Sequence, residues 1–314
     1  MEYKQLGQTD FNVSRIGFGG AAISGFNYGK TDDQESIKAI KKALDLGVNF
    51  FDTADIYGFG HSEKLLADGL GERRKDVIIA TKVGLRWDIK NESSFADLNR
   101  DYVYKALNQS LENLKLDTIP LYQIHRHDPD TLIRDTMETF DILKKHGKIK
   151  YLGASNLSRE FIEEYSNYGR IESFQASYNI LDQQAEKDIF PVCKKLEIGL
   201  IVFSPLAQGL LSGKYSHGVK FEQQDRRNES KYFKPRVFDR LPELFKAMSD
   251  IGQKYGKTMV QVALRWILDH PQVAMTIVGI KTEQQIEETA GATDWKMSKE
   301  EREKLSALGN YVMS

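Results

Sequence analysis

Four side chains suited to proton chemistry stand at or just beyond the ends of short apolar runs: Asp52 in NFFDTA, Tyr57 five residues later, Lys82 closing VIIATK, and His125 closing LYQIH. A charge set into an apolar run is rarely left unpaired, because burying it alone is costly, so Asp52 and Lys82 are expected to meet. A free phenol has a pKa of about 10, too high for a good proton donor near neutrality. A lysine ammonium within reach of Tyr57 would lower that value by roughly 1–3 units. Asp52 would keep Lys82 charged, and His125 would add a second hydrogen bond to orient a carbonyl oxygen. A positioned general acid contributes about 10²–10⁴-fold. The remaining acceleration must then come from holding a hydride donor next to the carbonyl carbon.

Blander readings of the same residues are available. Asp52 with Lys82 alone would serve equally as a structural ion pair, and it is Tyr57 and His125 beside them that favour chemistry. His125 and His127 form an H-x-H pair, a spacing that binds metal in other barrels. His61, His146, His217 and His270 fall in turns or at helix ends, so ligands run short and no metal is expected. A lyase that forms a Schiff base on Lys82 is disfavoured, because Asp52 should keep that amine protonated. GFGGAA (17–22) lacks the spacing of a dinucleotide-binding glycine loop and reads as close backbone packing. The single cysteine, Cys193, lies in the helical pattern IFPVCKKL and is expected to be a packed small hydrophobe.

The elements that would position these groups follow a regular alternation. Eight β-branched or apolar runs recur: RIGFGG (15–20), NFFDTA (49–54), VIIATK (77–82), LYQIH (121–125), KYLGAS (150–155), SFQAS (173–177), LIVFSP (200–205) and AMTIVG (274–279). Between them lie patterns such as SIKAIKKALDLG (36–47), YVYKALNQSLENL (102–114) and ETFDILKKHG (138–147), with apolar residues at three- and four-residue spacing. Continuous apolar strands alternating with helices predict a parallel sheet covered on both faces, and eight such units predict an α/β fold closed as a (β/α)8 TIM barrel. Residues 1–314 read as a single domain. Residues 1–14 form a capping hairpin with its turn at Gly7–Asp10, a long polar loop follows strand seven over 212–240, and helical patterns at 242–255, 258–269 and 298–308 add extra C-terminal helices. In such a barrel the polar residues at the C-terminal strand ends share one mouth. This places Ser155, Asn156, Gln175 and Ser204 beside the four residues above.

Composition narrows the partners. With 44 basic and 45 acidic residues the formal charge is −1, so no global field attracts nucleic acid or an acidic membrane surface. No apolar run reaches the roughly 20 residues of a membrane span, MEYKQLGQTD lacks the core of a secretion signal, and a cytoplasmic location is expected. The loops after strands one and three bring Phe26, Tyr28 and Trp87 to the mouth as candidate substrate-pocket residues, with His127 near them.

FDTADIYG (51–58), ATK (80–82), LYQIH (121–125), LGASN (152–156), FQASYN (174–179), SPLAQGLLSGKY (204–215) and GIKTEQQIEE (279–288) together resemble the aldo-keto reductases, in their order and at one motif per strand. The likeness is closest to the bacterial branch of inositol-operon and general-stress reductases, with a more distant relation to potassium-channel β subunits. It implies a catalytic tetrad of Asp52, Tyr57, Lys82 and His125, with Tyr57 as general acid in reduction and base in oxidation. It further implies that NADP(H) is the cofactor, with NAD as the alternative, and that a small carbonyl or alcohol, sugar and polyol derivatives included, is the substrate. The carboxamide of the nicotinamide is implied to meet Ser155, Asn156 and Gln175, with Tyr178 stacked on its ring. Ser204, Pro205, Leu206, Gly209 and Lys214 are implied to cover the pyrophosphate, with Arg227 reaching a phosphate. Gly279, Lys281, Gln285 and Glu288 are implied at the adenosine end, where Thr289 stands in place of the usual asparagine. A cofactor-binding regulatory or sensor subunit with slow turnover is the rival reading, and the oligomeric state is left open.

Overall fold

The computed structural model describes residues 1–25, 31–88, 93–215, 219–221 and 225–314. Eight strands form a closed, all-parallel barrel: β1 (Ile16–Gly19), β2 (Phe50–Asp52), β3 (Ile78–Val83), β4 (Ile119–Ile124), β5 (Ile149–Ser155), β6 (Ser173–Ser177), β7 (Gly199–Phe203) and β8 (Val273–Gly279). Neighbours follow chain order around the ring, and β8 closes on β1 through the register Thr276 to Ile16 and Val278 to Phe18.

Helices cover the outside. The first six strands are followed by α1 (Asp33–Asp45), α2 (His61–Leu70), α3 (Arg100–Leu114), α4 (Ile133–Lys145), α5 (Arg159–Ser166) and α6 (Ala185–Lys195). α7 (Pro235–Tyr255) and α8 (Met259–Leu268) follow β7, while α9 (Glu283–Ala290) and α10 (Lys299–Met313) follow β8. Local chemistry sets several of these starts. Asp32, Asn99 and Ser158 each accept from the backbone N–H three residues on. Thr258 and Ser298 head reciprocal capping boxes with Gln261 and Glu301.

Two features depart from the sequence pattern. The stretch 212–240 is not a loop throughout: short 3-10 turns occupy Arg226–Glu229 and Lys231–Phe233, and α7 begins at Pro235. α7 continues through Pro242, whose ring removes one helical hydrogen bond. The stripe Val237, Leu241, Leu244, Met248 and Ile251 stays buried on one face across that point, and this burial offsets the lost bond. The chain after β3 folds as an antiparallel hairpin, Leu85–Asp88 with Ser93–Ala96, which carries Trp87.

The interior is layered by strand parity. Phe50, Ile78, Ala80, Leu121, Ile201, Met275 and Ile277 fill the barrel together with Leu6, Phe11 and Val13, which belong to the N-terminal hairpin Tyr3–Gln5 and Asn12–Ser14 and its turn. Alternate residues, among them Phe51, Ile79, Tyr122, Ile124, Phe174, Leu200 and Val202, pack outward into the layer shared with the helices. No helix among the described residues is long and apolar enough to cross a membrane.

Candidate active site

The inward parity runs from the apolar layer straight to the polar rim. Phe50 leads two residues on to Asp52, Ala80 to Lys82, and Leu121 through Gln123 to His125. Tyr57 reaches the same rim from the turn after β2. That turn needs Gly58, which has a φ of 60°, and a Cβ there would lie 2.2 Å from the Ser24 carbonyl oxygen.

At the centre, Lys82 Nζ donates to Asp52 Oδ2 at 2.7 Å and to the Thr53 carbonyl at 2.9 Å. Its third direction faces Tyr57, whose ring centroid is 5.0 Å away. Lys82 is 2% exposed and Asp52 5%. Burial works against the lysine charge, yet Asp52 and then Tyr57 outweigh it and hold the pKa above the ordinary lysine value. The other oxygen of Asp52 accepts from Gln175 Nε2 at 2.5 Å and from Gln123 Nε2 at 3.3 Å, so the carboxylate is fully engaged.

His125 stands edge-on to the Tyr57 ring, with centroids 5.8 Å apart and planes at 83°. Burial, then the positive charges of Lys82 and Arg126, push its pKa well below the usual histidine value, so the ring is neutral. A neutral imidazole donates through one nitrogen only; Nδ1 is buried without a protein partner. Because His125 does not gain a proton in the folded protein near pH 6.5, carbonyl reduction should show no inflection there. A pH–rate profile between about pH 5.5 and 7.5 checks this, and a step centred near the ordinary histidine value would refute it.

Other expected site residues fall into place unevenly. Ser155 Oγ donates to the Gln175 carbonyl at 3.2 Å, and Asn156, in the left-handed region at φ 54°, donates to Ser155 Oγ and the His125 carbonyl. Both amide protons of Asn156 are thereby used within the protein, and its carbonyl oxygen remains for a ligand. Gln175 likewise spends its amide nitrogen on Asp52.

Tyr178 does not reach the mouth. It is 0% exposed, its ring stacks on Trp266 with centroids 4.8 Å apart, and its hydroxyl meets Glu186 and Arg302. The cause is parity, since Phe174, Ala176 and Tyr178 share the outward face of β6 and its extension. Phe203, two residues beyond inward Ile201, is a half-buried aromatic at the end of β7. His127 also turns away: its ring stacks on Phe161 at 3.9 Å and its Nδ1 lies 3.1 Å from the Tyr165 hydroxyl, both on α5. Trp87 packs near Phe59, which is 56% exposed, with centroids 6.0 Å apart. Phe26 and Tyr28 lie outside the described residues. Among the described residues no His, Cys, Asp or Glu group gathers as metal ligands.

In the segment after β7, Ser204, Ala207, Gln208, Gly209 and Gly213 all have positive φ, so the chain repeatedly enters the left-handed region, with the N–H groups of Ala207, Gly209, Leu211 and Gly213 bonded to carbonyls inside the segment. Lys214 Nζ would lie 3.8 Å from a Cβ built on Gly209. Pro205 is buried beneath this segment, with Leu206 partly so. Lys281, whose pKa is lowered by burial and then by Arg227 and Lys214, shares its surroundings with both cations. Arg227 is anchored by Asp225 at 2.5 Å and by the Tyr215 hydroxyl at 3.0 Å. Gln285 accepts from the Lys281 backbone N–H at 2.7 Å, Glu288 is half-buried on α9, and a Cβ on Gly279 would press to 3.2 Å from Ala22. Lys214, Arg227 and Lys281 thus lie close enough to act on one another.

A parallel barrel whose rim unites a phenol, an ammonium, a carboxylate and a neutral imidazole has the makings of a carbonyl oxidoreductase. A sequence model of the Aldo/keto reductase family matches residues 15–310, and the chain belongs to that family of nicotinamide-dependent oxidoreductases. The chain is similar to Aldo-keto reductase YhdN of Bacillus subtilis, 34% identical over 317 residues that cover 100% of this chain and 95% of that protein. It is 30% identical to the NADH-specific methylglyoxal reductase of Escherichia coli, covering 93% of this chain and 94% of that one. The solved structure of the glycerol dehydrogenase AKR11B4 from Gluconobacter oxydans matches with a TM-score of 0.90 at 31% identity, covering 98% and 94% of the two chains.

Proposed function

We propose that the protein is an NADPH-dependent carbonyl reductase in which Tyr57 protonates the carbonyl oxygen. The observation that carries this reading is the single ammonium of Lys82 held between Asp52 and Tyr57. When bound, NADPH supplies the hydride that the carbonyl carbon accepts. Tyr57 gives its proton to the oxygen, and the ammonium beside it stabilises the tyrosinate left behind. Neutral His125 donates a hydrogen bond to the same oxygen as its negative charge grows. Gln123 and Gln175 keep Asp52 fixed, so the lysine charge is aimed before substrate arrives. In the oxidative direction Tyr57 takes the alcohol proton as a base.

Asn156 and Gln175 would meet the carboxamide and Phe203 would cover the nicotinamide. Segment 204–214 would hold the pyrophosphate, and Lys281 with Arg227 the 2′-phosphate. Lys281→Met should therefore raise KM for NADPH about 10–100-fold, the loss of one charge-assisted hydrogen bond, and leave KM for NADH nearly unchanged. Equal effects on both coenzymes would argue for an NADH enzyme, as the name of the Escherichia coli relative describes for that protein. A screen of small aldehydes, ketones, sugars and polyols with NADPH and NADH, followed by absorbance, tests the reaction itself. Turnover of no carbonyl or alcohol with either coenzyme would overturn the reading.

A further inference from the structure

The turn that carries Tyr57 also carries an acid that the reaction above does not use. Asp55 lies two residues before Tyr57, and its backbone N–H reaches the Lys82 carbonyl at 3.3 Å. Its carboxyl accepts from its neighbour Ile56 at 2.7 Å, while Oδ2 lies 3.2 Å from the Tyr102 hydroxyl on α3. The same hydroxyl lies 3.3 Å from the carbonyl oxygen of Leu85, three residues beyond Lys82. A phenol has one proton and faces two acceptors here. A carboxylate at Asp55 would take that proton and leave the Leu85 carbonyl unbonded. A neutral carboxyl instead donates to Tyr102, and Tyr102 donates to Leu85, so both contacts are satisfied at once.

We infer that Asp55 is a positioning residue: as a neutral carboxyl it forms, with Tyr102 and the Leu85 carbonyl, a clasp that holds the turn bearing Tyr57 against the strand bearing Lys82. The inference rests on the reductase reading for its kinetic consequence. The surroundings agree with the neutral form, since burial and then Glu63 of α2 push the Asp55 carboxyl up to about 8, against the bonds from Ile56 and Tyr102 and the pull of Lys82 on β3. Among the described residues, the remaining groups around the clasp are Arg86, whose guanidinium lies over the Tyr102 ring at 4.9 Å, Asp97, which Arg86 binds at 2.7 Å, and the buried phenol of Tyr122 on β4.

Two readouts test the clasp. The first is unfolding of Asp55→Asn beside the wild type. Asparagine reproduces the donor and the acceptor of the neutral acid but cannot ionise. An unfolded aspartate releases its proton near 3.9, whereas the folded one keeps it to about 8. Unfolding between these values therefore releases a proton, and the wild type should lose stability relative to the variant as pH rises from 5 to 9, with the gap in Tm widening by about 6 °C. A constant gap would overturn the neutral carboxyl. The second is kcat for alcohol oxidation, the direction in which ionised Tyr57 helps rather than hinders. The wild type should decline through pH 8 while Asp55→Asn keeps its rate. Tyr102→Phe should lose on the order of 10–10²-fold in kcat at pH 7 with the cofactor Kd unchanged. The same alkaline decline in Asp55→Asn, or full kcat in Tyr102→Phe, would overturn the clasp. A wild type without turnover would overturn the reductase reading instead, and the unfolding readout would still decide the state of Asp55.

Discussion

Tyr57→Phe is expected to lower kcat for carbonyl reduction by about 10²–10⁴-fold, the value of a positioned general acid, while the Kd for NADPH stays within about twofold of the wild type. The reason is geometric. The phenyl ring keeps the edge contact with His125 and the face toward Lys82, whose centroid distances are 5.8 and 5.0 Å, so the rim holds its shape. Only the hydroxyl is removed, and with it the proton that the carbonyl oxygen needs. Residual rate should come from His125 and from hydride placement, which the substitution leaves in position. Rapid-quench turnover with fluorescence titration of the cofactor separates the two effects. Wild-type kcat in this variant would move the acid to another residue.

Lys82→Met should remove activity more completely and should also destabilise the fold. Removing one partner of a buried ion pair commonly costs about 3–5 kcal/mol, because the other charge is left in a poor solvent. Here the cost should fall toward the lower end, since Gln175 and Gln123 still donate to Asp52 at 2.5 and 3.3 Å. Combining Lys82→Met with Asp52→Asn removes the stranded charge and should recover most of the stability without any activity. Chemical denaturation of the single and double variants measures the recovery. A double variant as unstable as the single one would show that the lysine contributes by packing rather than by charge.

The barrel was legible because its strands are buried on both faces and read as continuous apolar runs, and because Asp52 and Lys82 each break such a run at its C-terminal end. Gln123 is legible on the same grounds. Gln123 sits in LYQIH two residues after Leu121 and two before His125, on the inward face, and its polar amide in an apolar strand marked it as a partner for a buried charge. Tyr178 faces away from the mouth for the converse reason. One residue past the end of β6, it continues the outward side of Phe174 and Ala176 and packs on Trp266. Phe203, an even number from Ile201, was the aromatic that parity favoured. His127 follows the same rule from His125, but it lies beyond the strand end, where alternation no longer fixes direction and only packing against Phe161 does. The start of α7 was obscured by Pro242, which in isolation reads as a helix beginning. Its buried stripe runs on to Val237, and only tertiary packing on that face shows that the helix tolerates the proline. The cation cluster joins Lys214 and Arg227 of one loop with Lys281, 54 residues beyond Arg227, a proximity that no local pattern carries.

The central claim is that this rim transfers hydride from a nicotinamide to a carbonyl carbon with Tyr57 as the proton source. The most direct measurement uses NADPH deuterated at C4 and mass analysis of the alcohol formed by the wild type and by Tyr57→Phe. The wild-type product should gain one deuterium on carbon, and the variant should form it at a rate reduced by orders of magnitude. An alcohol without the label, or equal labelled turnover by both proteins, would contradict the account.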